Sequence, residues 1–246
     1  MNYSNLHNYI FENQNSSPKL QLNLAFGFTV FTILALGIDS VLFTTQYFDA
    51  RVITNIAAIA YFFFLFLSAE MYLRKLMLVM VFLSYIGELI FCKLLGMYDY
   101  RTEMIPLYVP FGHAIVYASG CIFAQTKWAL QNEKSLRIFF AATFALLFLA
   151  VGFFLNDLFS LIFGLMFFVL MRRKRWQNLY YFIALCVIFI ELVGTYFKCW
   201  TWVPKTFGVI PAVNPPMGAV FFYAGGDVLL VKIVSIWDKR RLKVSQ

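Results

Sequence analysis

Charged residues are scarce in this chain of 246 residues: only 13% are Asp, Glu, Lys or Arg, whereas 62% are hydrophobic. A typical soluble domain contains about 25% charged and about 45–50% apolar residues. The difference excludes an ordinary soluble domain and indicates a polytopic membrane protein. The net charge of +8 does not indicate nucleic-acid binding, because the basic residues lie between hydrophobic runs, where they orient a chain in the bilayer.

Residues that build metal and nucleophile sites are also few. The chain has two histidines, His7 and His113, which is too few for the histidine clusters of a di-iron desaturase or hydroxylase. The four cysteines show no C-x-x-C spacing, so we interpret them as small buried residues, with a Cys92–Cys199 disulfide as the alternative. The sequence also has no Walker motif and no G-x-S-x-G motif. We therefore expect neither a metal nor a cofactor.

Eight long hydrophobic stretches make up most of the sequence. A helix that spans a membrane needs about 20 mostly apolar residues, and these stretches meet or approach that length. They cover residues 22–46, 52–73, 76–98, 106–126, 138–155, 157–171, 177–199 and 211–236. We therefore predict an all-α polytopic membrane protein with about eight transmembrane helices in one domain, residues 21–236, with halves 21–126 and 138–236. The fifth and sixth stretches are short and meet at Asn156-Asp157, which leaves open whether both span.

The basic residues predict the orientation of the chain. Residues 1–20 are polar without a signal-peptide pattern, and residues 237–246 form a basic tail. If both ends are cytoplasmic, most lysines and arginines lie on the inner side, as the positive-inside rule requires. Five lie in outer loops or at outer helix ends: Arg51, Lys93, Arg101, Lys198 and Lys205. Lys232 lies inside the last stretch, where we expect it to pair with Asp227 or to reach the inner surface. We expect a bacterial inner-membrane protein with both termini in the cytoplasm.

Two parts of the sequence, Glu88–Gly120 and Glu191–Gly226, share one order of features. Each begins with a glutamate in an apolar run, continues with an aromatic-x-aromatic pair and an Ile-Pro dipeptide, and has a second proline four residues later. The aromatic pairs are Tyr98 with Tyr100 and Trp200 with Trp202. These parts cover the third and fourth, and the seventh and eighth, predicted helices. Because a four-helix unit crosses the membrane an even number of times, we predict an internal parallel repeat about an axis along the membrane normal.

Ionisable side chains inside a bilayer are costly and usually functional. Glu88 and Glu191 occupy matching positions of the repeat, at similar predicted depths, so we expect both to face the seam between the halves. Asp39 and His113 are expected in the same layer, and these four are the candidate catalytic residues. The candidate substrate-binding residues are the aromatic pairs and polar or aromatic residues that follow them: Tyr98, Tyr100, Tyr117, Trp200, Trp202, Asn214 and Tyr223.

Prolines begin the second helix of each copy, in IPLYVPFGH at residues 105–113 and IPAVNPPMG at residues 210–218. Proline removes a backbone donor, and irregular backbone at membrane depth is tolerated only where it is buried in protein or lines a cavity. We therefore expect both segments to line a pocket that is open to the outer half of the membrane. The neighbouring aromatic pairs are expected to anchor the chain at the interface or to form the rim of the pocket.

Part of the first copy resembles a known family. Glu88, then Gly96-x-Tyr98-x-Tyr100, then Ile105-Pro106-Leu107-x-Val109-Pro110 is similar to the carotenoid-synthesis membrane family that includes bisanhydrobacterioruberin hydratase. Trp200-x-Trp202 with Pro204 more distantly resembles the small membrane lycopene cyclases. The resemblance implies a membrane enzyme of carotenoid biosynthesis, in which Glu88 and Glu191 are the residues to test.

The candidate residues favour carboxylate chemistry in an apolar pocket. Burial favours the protonated form of a carboxyl group, so that a glutamate can act as an acid. Such an acid suits a metal-free hydratase, cyclase or isomerase acting on a hydrophobic lipid or isoprenoid, which is the leading hypothesis. One alternative is a lipid or small-molecule transporter or flippase with its site at the repeat interface, and another is a non-catalytic membrane assembly module. Membrane lipid or isoprenoid is the expected partner, and homo-oligomerisation stays open.

Overall fold

The computed structural model describes residues 18–244, and helices make up most of this part of the chain. The polar segment predicted at residues 1–20 lies largely outside the described residues. The helices are α1 (Pro18–Ile38), α2 (Val41–Gln46), α3 (Arg51–Ser68), α4 (Met71–Glu88), α5 (Tyr108–Ala124), α6 (Lys127–Gln131), α7 (Glu133–Phe154), α8 (Leu158–Met171), α9 (Gln177–Tyr196) and α10 (Val220–Val244). A π-helical turn, Leu89–Leu94, extends α4, and a 3₁₀ turn, Met217–Ala219, precedes α10.

Within residues 18–244, six helical stretches are long and apolar enough to cross a membrane: Lys19–Gln46, Arg51–Ser68, Met71–Leu94, Glu133–Phe154, Gln177–Tyr196 and Met217–Lys239. Their outward faces carry large apolar side chains, such as Phe82, Leu146 and Phe154, which are 71%, 69% and 86% exposed. A water-soluble surface rarely carries apolar patches on this scale. The predicted class, an all-α integral membrane protein, is thereby confirmed. Helices α5 and α8 are apolar but shorter.

Helix α5 lies at the centre of the bundle and contacts α1, α3, α4 and α9. Thirteen of its 17 residues are buried, and many of them are small, such as Ala114, Ala118 and Gly120. Helices approach closely where small residues meet, which is the usual basis of helix packing inside membranes. Because α5 is central, few of its apolar side chains face outward, whereas most of those of α7 do.

Helices α7 and α8 meet in a tight turn, as their short hydrophobic stretches predicted. Asn156 has a left-handed backbone with a φ of 55°, a conformation that asparagine adopts more readily than most residues. Asp157 then caps α8, because its Oδ1 accepts a hydrogen bond of 2.9 Å from the backbone N–H of Ser160. This turn and cap end one helix and begin the next within three residues.

The loops after α4 and α9 contain short strands of two or three residues, which the sequence did not predict. Strand β1 (Tyr98–Tyr100) pairs antiparallel with β2 (Trp200–Trp202), with Tyr98 opposite Trp202. A second short pair joins β3 (Lys205–Thr206) to β4 (Ile210–Pro211). The eighth predicted helix, residues 211–236, therefore begins later than expected, because residues 210–216 form a strand and an extended proline segment. The first predicted helix, 22–46, is interrupted at residues 39–40, where Ser40 caps α2.

Candidate functional site

A cavity of about 500 Å³ lies inside the bundle, between α1, α3, α4, α5, α9, α10 and the β1–β2 pair. This volume is in the range of pockets that hold a small organic ligand, about 300–1,000 Å³. Most of its wall is apolar, and two acidic residues, Glu88 and Glu191, contribute to it. The cavity therefore brings together the two glutamates that the sequence repeat singles out.

Glu88 ends α4 and is held by three side chains. Its Oε2 accepts hydrogen bonds from the hydroxyls of Tyr98, at 2.9 Å, and Tyr100, at 2.7 Å, and its Oε1 lies 2.9 Å from Nε2 of His113. The chain reverses at Gly96, which has a φ of 56°, a value that glycine adopts without strain. Because residues i and i+2 of a strand point to the same face, the Tyr-x-Tyr spacing brings both hydroxyls back over the carboxylate.

Glu191 is held in the corresponding way near the end of α9. Its Oε2 accepts hydrogen bonds from the indole N–H groups of Trp200, at 2.9 Å, and Trp202, at 3.0 Å. The chain turns back at Lys198, whose φ is 55°. Gly194 makes room for this arrangement, because a β-carbon at this position would overlap the indole ring of Trp200. One turn of α9 thus provides both the Glu191 carboxylate and, at Gly194, the space for the Trp200 indole that donates to it.

The aromatic donors to Glu88 lie on β1 and those to Glu191 lie on β2, so strand pairing brings the two sets of rings together. The ring of Tyr98 lies 4.7 Å from that of Trp202, and the ring of Tyr100 lies 6.2 Å from that of Trp200, measured between centroids. An indole N–H can only donate a hydrogen bond, whereas a tyrosine hydroxyl can donate and accept. Both donors to Glu191 end on Oε2, so Oε1 receives no hydrogen bond from the described part of the chain. The two carboxyl groups therefore have different surroundings despite their matching positions.

His113 connects helix α5 to helix α10. Its ring stacks on Tyr223 of α10, with the centroids 5.1 Å apart and the planes 11° from parallel. Both residues line the cavity, as do Tyr98, Tyr100, Trp200 and Trp202. Of the eleven predicted site residues, eight therefore lie in the wall of one cavity.

Asp39, predicted as catalytic, is not among the residues that line the cavity. Its Oδ1 lies 2.7 Å from Nη2 of Arg101, and its Oδ2 accepts a hydrogen bond of 2.9 Å from the hydroxyl of Tyr108. Arg101 also contacts Asp49 at 2.9 Å. Burial alone would lower the pKa of Arg101, but the hydrogen bonds and charges of the two aspartates raise it above its ordinary value. The observed geometry gives Asp39 a structural ion pair at the loop between α1 and α2.

Asn214 and Tyr117, both predicted to bind substrate, also lie outside the cavity wall. Asn214 accepts a hydrogen bond of 3.0 Å from the backbone N–H of Trp202, so it fixes strand β2. Tyr117 donates to Oδ1 of Asp227 at 2.6 Å. The other oxygen of Asp227 lies 3.1 Å from Nζ of Lys174, rather than near Lys232. Asp227 thus belongs to a buried polar cluster separate from the cavity.

Several cavity residues were not identified from the sequence. Helices α1 and α3 contribute a wall that includes Phe28, Phe31, Thr32, Thr54 and Ala58. These helices show no visible repeat, so their sequence has no signal that distinguishes this wall from ordinary packing. Of the two proline segments expected to line the pocket, the first does so through residues such as Val109 and Gly112, whereas no residue of 210–218 is in the wall.

The described residues contain no group of three or more His, Cys, Asp or Glu side chains arranged to hold a metal ion. All four cysteines are buried and free, so Cys92 and Cys199 do not pair. Comparison with known proteins finds no family model that matches the chain and no similar curated protein or solved structure. The functional argument therefore depends on the cavity and the chemistry of its wall.

Proposed function

We propose that this protein is a membrane enzyme that acts on a hydrophobic lipid or isoprenoid by acid–base chemistry at Glu88 and Glu191. The observation that carries the proposal is the presence of both carboxyl groups in the wall of one largely apolar cavity. Each carboxyl is fixed by two aromatic donors, and catalytic groups must be held in this way to act with precision.

The different surroundings of the two carboxyls suggest different roles. Glu191 keeps Oε1 without a donor from the described residues, so this oxygen carries the proton that is transferred to a carbon of the substrate double bond. Transfer leaves a carbocation on the substrate and a carboxylate on Glu191. Glu88 is paired with His113, and this pair accepts the proton that leaves the neighbouring carbon or an attacking water. The net result is isomerisation in the first case and hydration in the second.

The cavity wall suits a cationic intermediate. The faces of aromatic rings attract positive charge, and four tyrosine and tryptophan side chains of β1 and β2 surround the carboxyls. The apolar remainder of the wall limits the access of water, which favours charge stabilisation by the fixed groups over bulk solvent. Ring closure, in which a second double bond of the substrate attacks the cation, follows from the same first step.

We also propose eight membrane crossings, with α5 and α8 as short additional spans and both termini in the cytoplasm of a bacterial inner membrane. Helix α5 is enclosed by longer helices, so it has little need of a full-length apolar surface. The antiparallel β1–β2 pair, which joins matching segments of the two copies, supports a two-fold relation along the membrane normal. Glu88 and Glu191 then lie at similar depth on opposite sides of that axis.

The test compares Glu88→Gln and Glu191→Gln with the wild type. Glu133→Gln is a matched control, because Glu133 is exposed at the start of α7 and the substitution makes the same chemical change away from the cavity. Lipids extracted from cells producing equal amounts of each protein are compared by mass spectrometry. We expect a lipid product in the wild type and the control that is lost in both cavity variants. A product that persists in both variants contradicts the proposal.

The same lipid comparison separates the enzyme hypothesis from two rival functions. A transporter with its site at the repeat interface moves its lipid without changing its mass, so the extracted lipids of wild type and variants have the same masses, and only labelling of the outer leaflet of intact membranes shows a difference. An assembly module leaves lipid composition and distribution unaffected by either variant. The enzyme hypothesis alone predicts a new mass that depends on both glutamates.

A further inference from the structure

The cavity wall includes side chains that are also exposed on the outside of the bundle. Ile86 of α4, Ile90 of the π-helical turn that extends it and Leu229 of α10 line the cavity and are 53%, 40% and 48% exposed. Their neighbours Leu89 and Val228 are also exposed but are absent from the cavity wall, so this surface continues to the outside of the bundle. A side chain that borders the interior and the exterior at once marks an opening. This opening lies between α4 and α10, and it faces the hydrocarbon region that surrounds the outward surface of these helices.

The sequence of both helices keeps this opening wide. On α10, Gly225 and Gly226 occupy the centre of the face that borders the cavity, and Gly87 occupies the corresponding place on α4. A β-carbon at Gly225 or Gly226 would meet no atom within 4 Å. Glycine in the middle of a helix is less favourable than alanine, and close packing does not explain it here. Gly225 and Gly226 border open space instead, whereas a β-carbon at Gly87 would lie in ordinary contact with the ring of Phe91, at 3.8 Å.

Contacts close the seam between α4 and α10 above and below the glycines. Near the outer end, the rings of Phe91 and Phe222 lie 4.6 Å apart. Near the inner end, Lys75 of α4 forms an ion pair with Asp238 of α10. The gap is therefore a bounded window in the side of the bundle and not a general separation of the two helices.

We infer that the opening between α4 and α10 is a lateral portal, through which a long linear lipid enters from the bilayer and binds with one end at the carboxyls. This inference rests on the proposed function and specifies the substrate and its route. A cavity of about 500 Å³ holds a molecule of ordinary ligand size, so the rest of a long chain extends through the portal into the surrounding lipid.

The polar groups in the cavity decide which lipid binds. Lipid tails are as apolar as the cavity wall, so an apolar chain gains little from moving out of the bilayer. Selection must therefore come from the end of the chain that reaches Glu191 Oε1 and the pair of Glu88 with His113. The structure accordingly fits a lipid that reacts at its terminus, and a compact water-soluble substrate would have no use for the side opening.

The experiment uses all-trans-retinol, a linear isoprenoid polyene that absorbs where tryptophan emits. The full-length protein is reconstituted in phosphatidylcholine vesicles, and quenching of tryptophan emission is measured as retinol is added. Trp200 and Trp202 line the cavity, so binding at the carboxyls adds a saturable component to the quenching by retinol dissolved in the bilayer. Absence of a saturable component in the wild type overturns the inference.

Gly225→Phe places a ring in the portal, and we expect it to lose the saturable component. Gly226→Leu is a second blocking variant in case the first one does not fold, which the elution profile of the purified protein reports. Val228→Phe is the matched control, because Val228 is on the same helix, 48% exposed, and absent from the cavity wall. Saturable quenching of wild-type size in a folded blocking variant contradicts the portal.

The portal and the proposed chemistry fail in different ways. If the blocking variants lose retinol binding and product while Glu191→Gln keeps the product, the portal stands and the acid–base proposal is wrong. If Glu191→Gln loses the product while the blocking variants bind retinol and form product normally, the chemistry stands and the portal is wrong.

Discussion

Gly194→Ala tests how the site is built, because the structure predicts that a single added methyl group displaces the Trp200 indole, which donates a hydrogen bond to Glu191. A β-carbon at residue 194 would overlap three carbon atoms of the Trp200 indole. Carbon atoms in contact prefer separations of about 3.5–4.0 Å, so the indole must retreat by more than about 1 Å. Its N–H donates to Glu191 over 2.9 Å, and a shift of that size breaks this hydrogen bond.

The magnitude follows from two costs. Inserting a methyl group into a packed site usually costs about 1–3 kcal/mol, and loss of a hydrogen bond to a charged or buried group costs about 1.5–3 kcal/mol. We expect a net destabilisation of about 2–4 kcal/mol, since relaxation of the ring offsets part of the sum. Gly225→Ala is the matched control: its methyl group meets open space, so the usual helix preference for alanine should stabilise the protein by about 0.5–1 kcal/mol.

The assay is equilibrium unfolding of the purified protein in detergent, together with the wavelength of tryptophan emission. Gly194→Ala is expected to lower stability and to shift the emission to longer wavelength, as Trp200 leaves its buried position. The two alanine substitutions thus have opposite predicted signs on the same scale. Equal stability of Gly194→Ala and wild type, with unchanged emission, would refute the explanation given for this glycine.

Two further predictions concern charged groups outside the cavity. Lys174→Met leaves Asp227, which is 1% exposed, without its cation, so we expect the free energy of unfolding to fall by about 3–5 kcal/mol. The double variant Lys174→Met/Asp227→Asn should recover most of this loss, and Lys134→Met, at an exposed lysine, is the control. An undiminished loss in the double variant would argue against the ion pair. The backbone N–H of Arg51, followed by the Arg101 side chain, lowers the pKa of Asp49, so its stabilising contribution is present above the ordinary aspartate pKa and disappears as pH falls through the lowered value. Asp49→Asn should therefore show a shallower loss of stability in that acidic range than wild type, and identical pH profiles would contradict the assignment.

The order of residues shared by Glu88–Gly120 and Glu191–Gly226 made part of the site predictable. A glutamate followed by two aromatic residues at alternate positions recurs in both copies, and the same spacing places two donors on one face of a strand beside the carboxylate. The hydrophobic stretches likewise locate the eight main helices, because apolar length is a strong signal. The sequence therefore identified Glu88, Glu191 and their aromatic partners without any knowledge of their distances.

The rest depended on contacts between residues distant in sequence. Asp39 pairs with Arg101, 62 residues away, and Asp227 with Lys174, 53 residues away, and no local spacing predicts either pair. The three-residue strands β1 and β2 are too short to give a pattern of their own and exist because they pair with each other, about 100 residues apart in sequence. The wall supplied by α1 and α3 has the composition of any membrane helix, so only the fold distinguishes it.

Solvent deuterium incorporation tests the central claim most directly. Membranes containing the wild-type protein and its lipids are incubated in D₂O, and the lipids are then analysed for added mass. If Glu191 protonates a carbon of the substrate, deuterium must appear at a non-exchangeable position of a lipid in the wild type and in Glu133→Gln, and it must be absent in Glu191→Gln. Failure to find any lipid whose deuterium content depends on Glu191 would contradict the account.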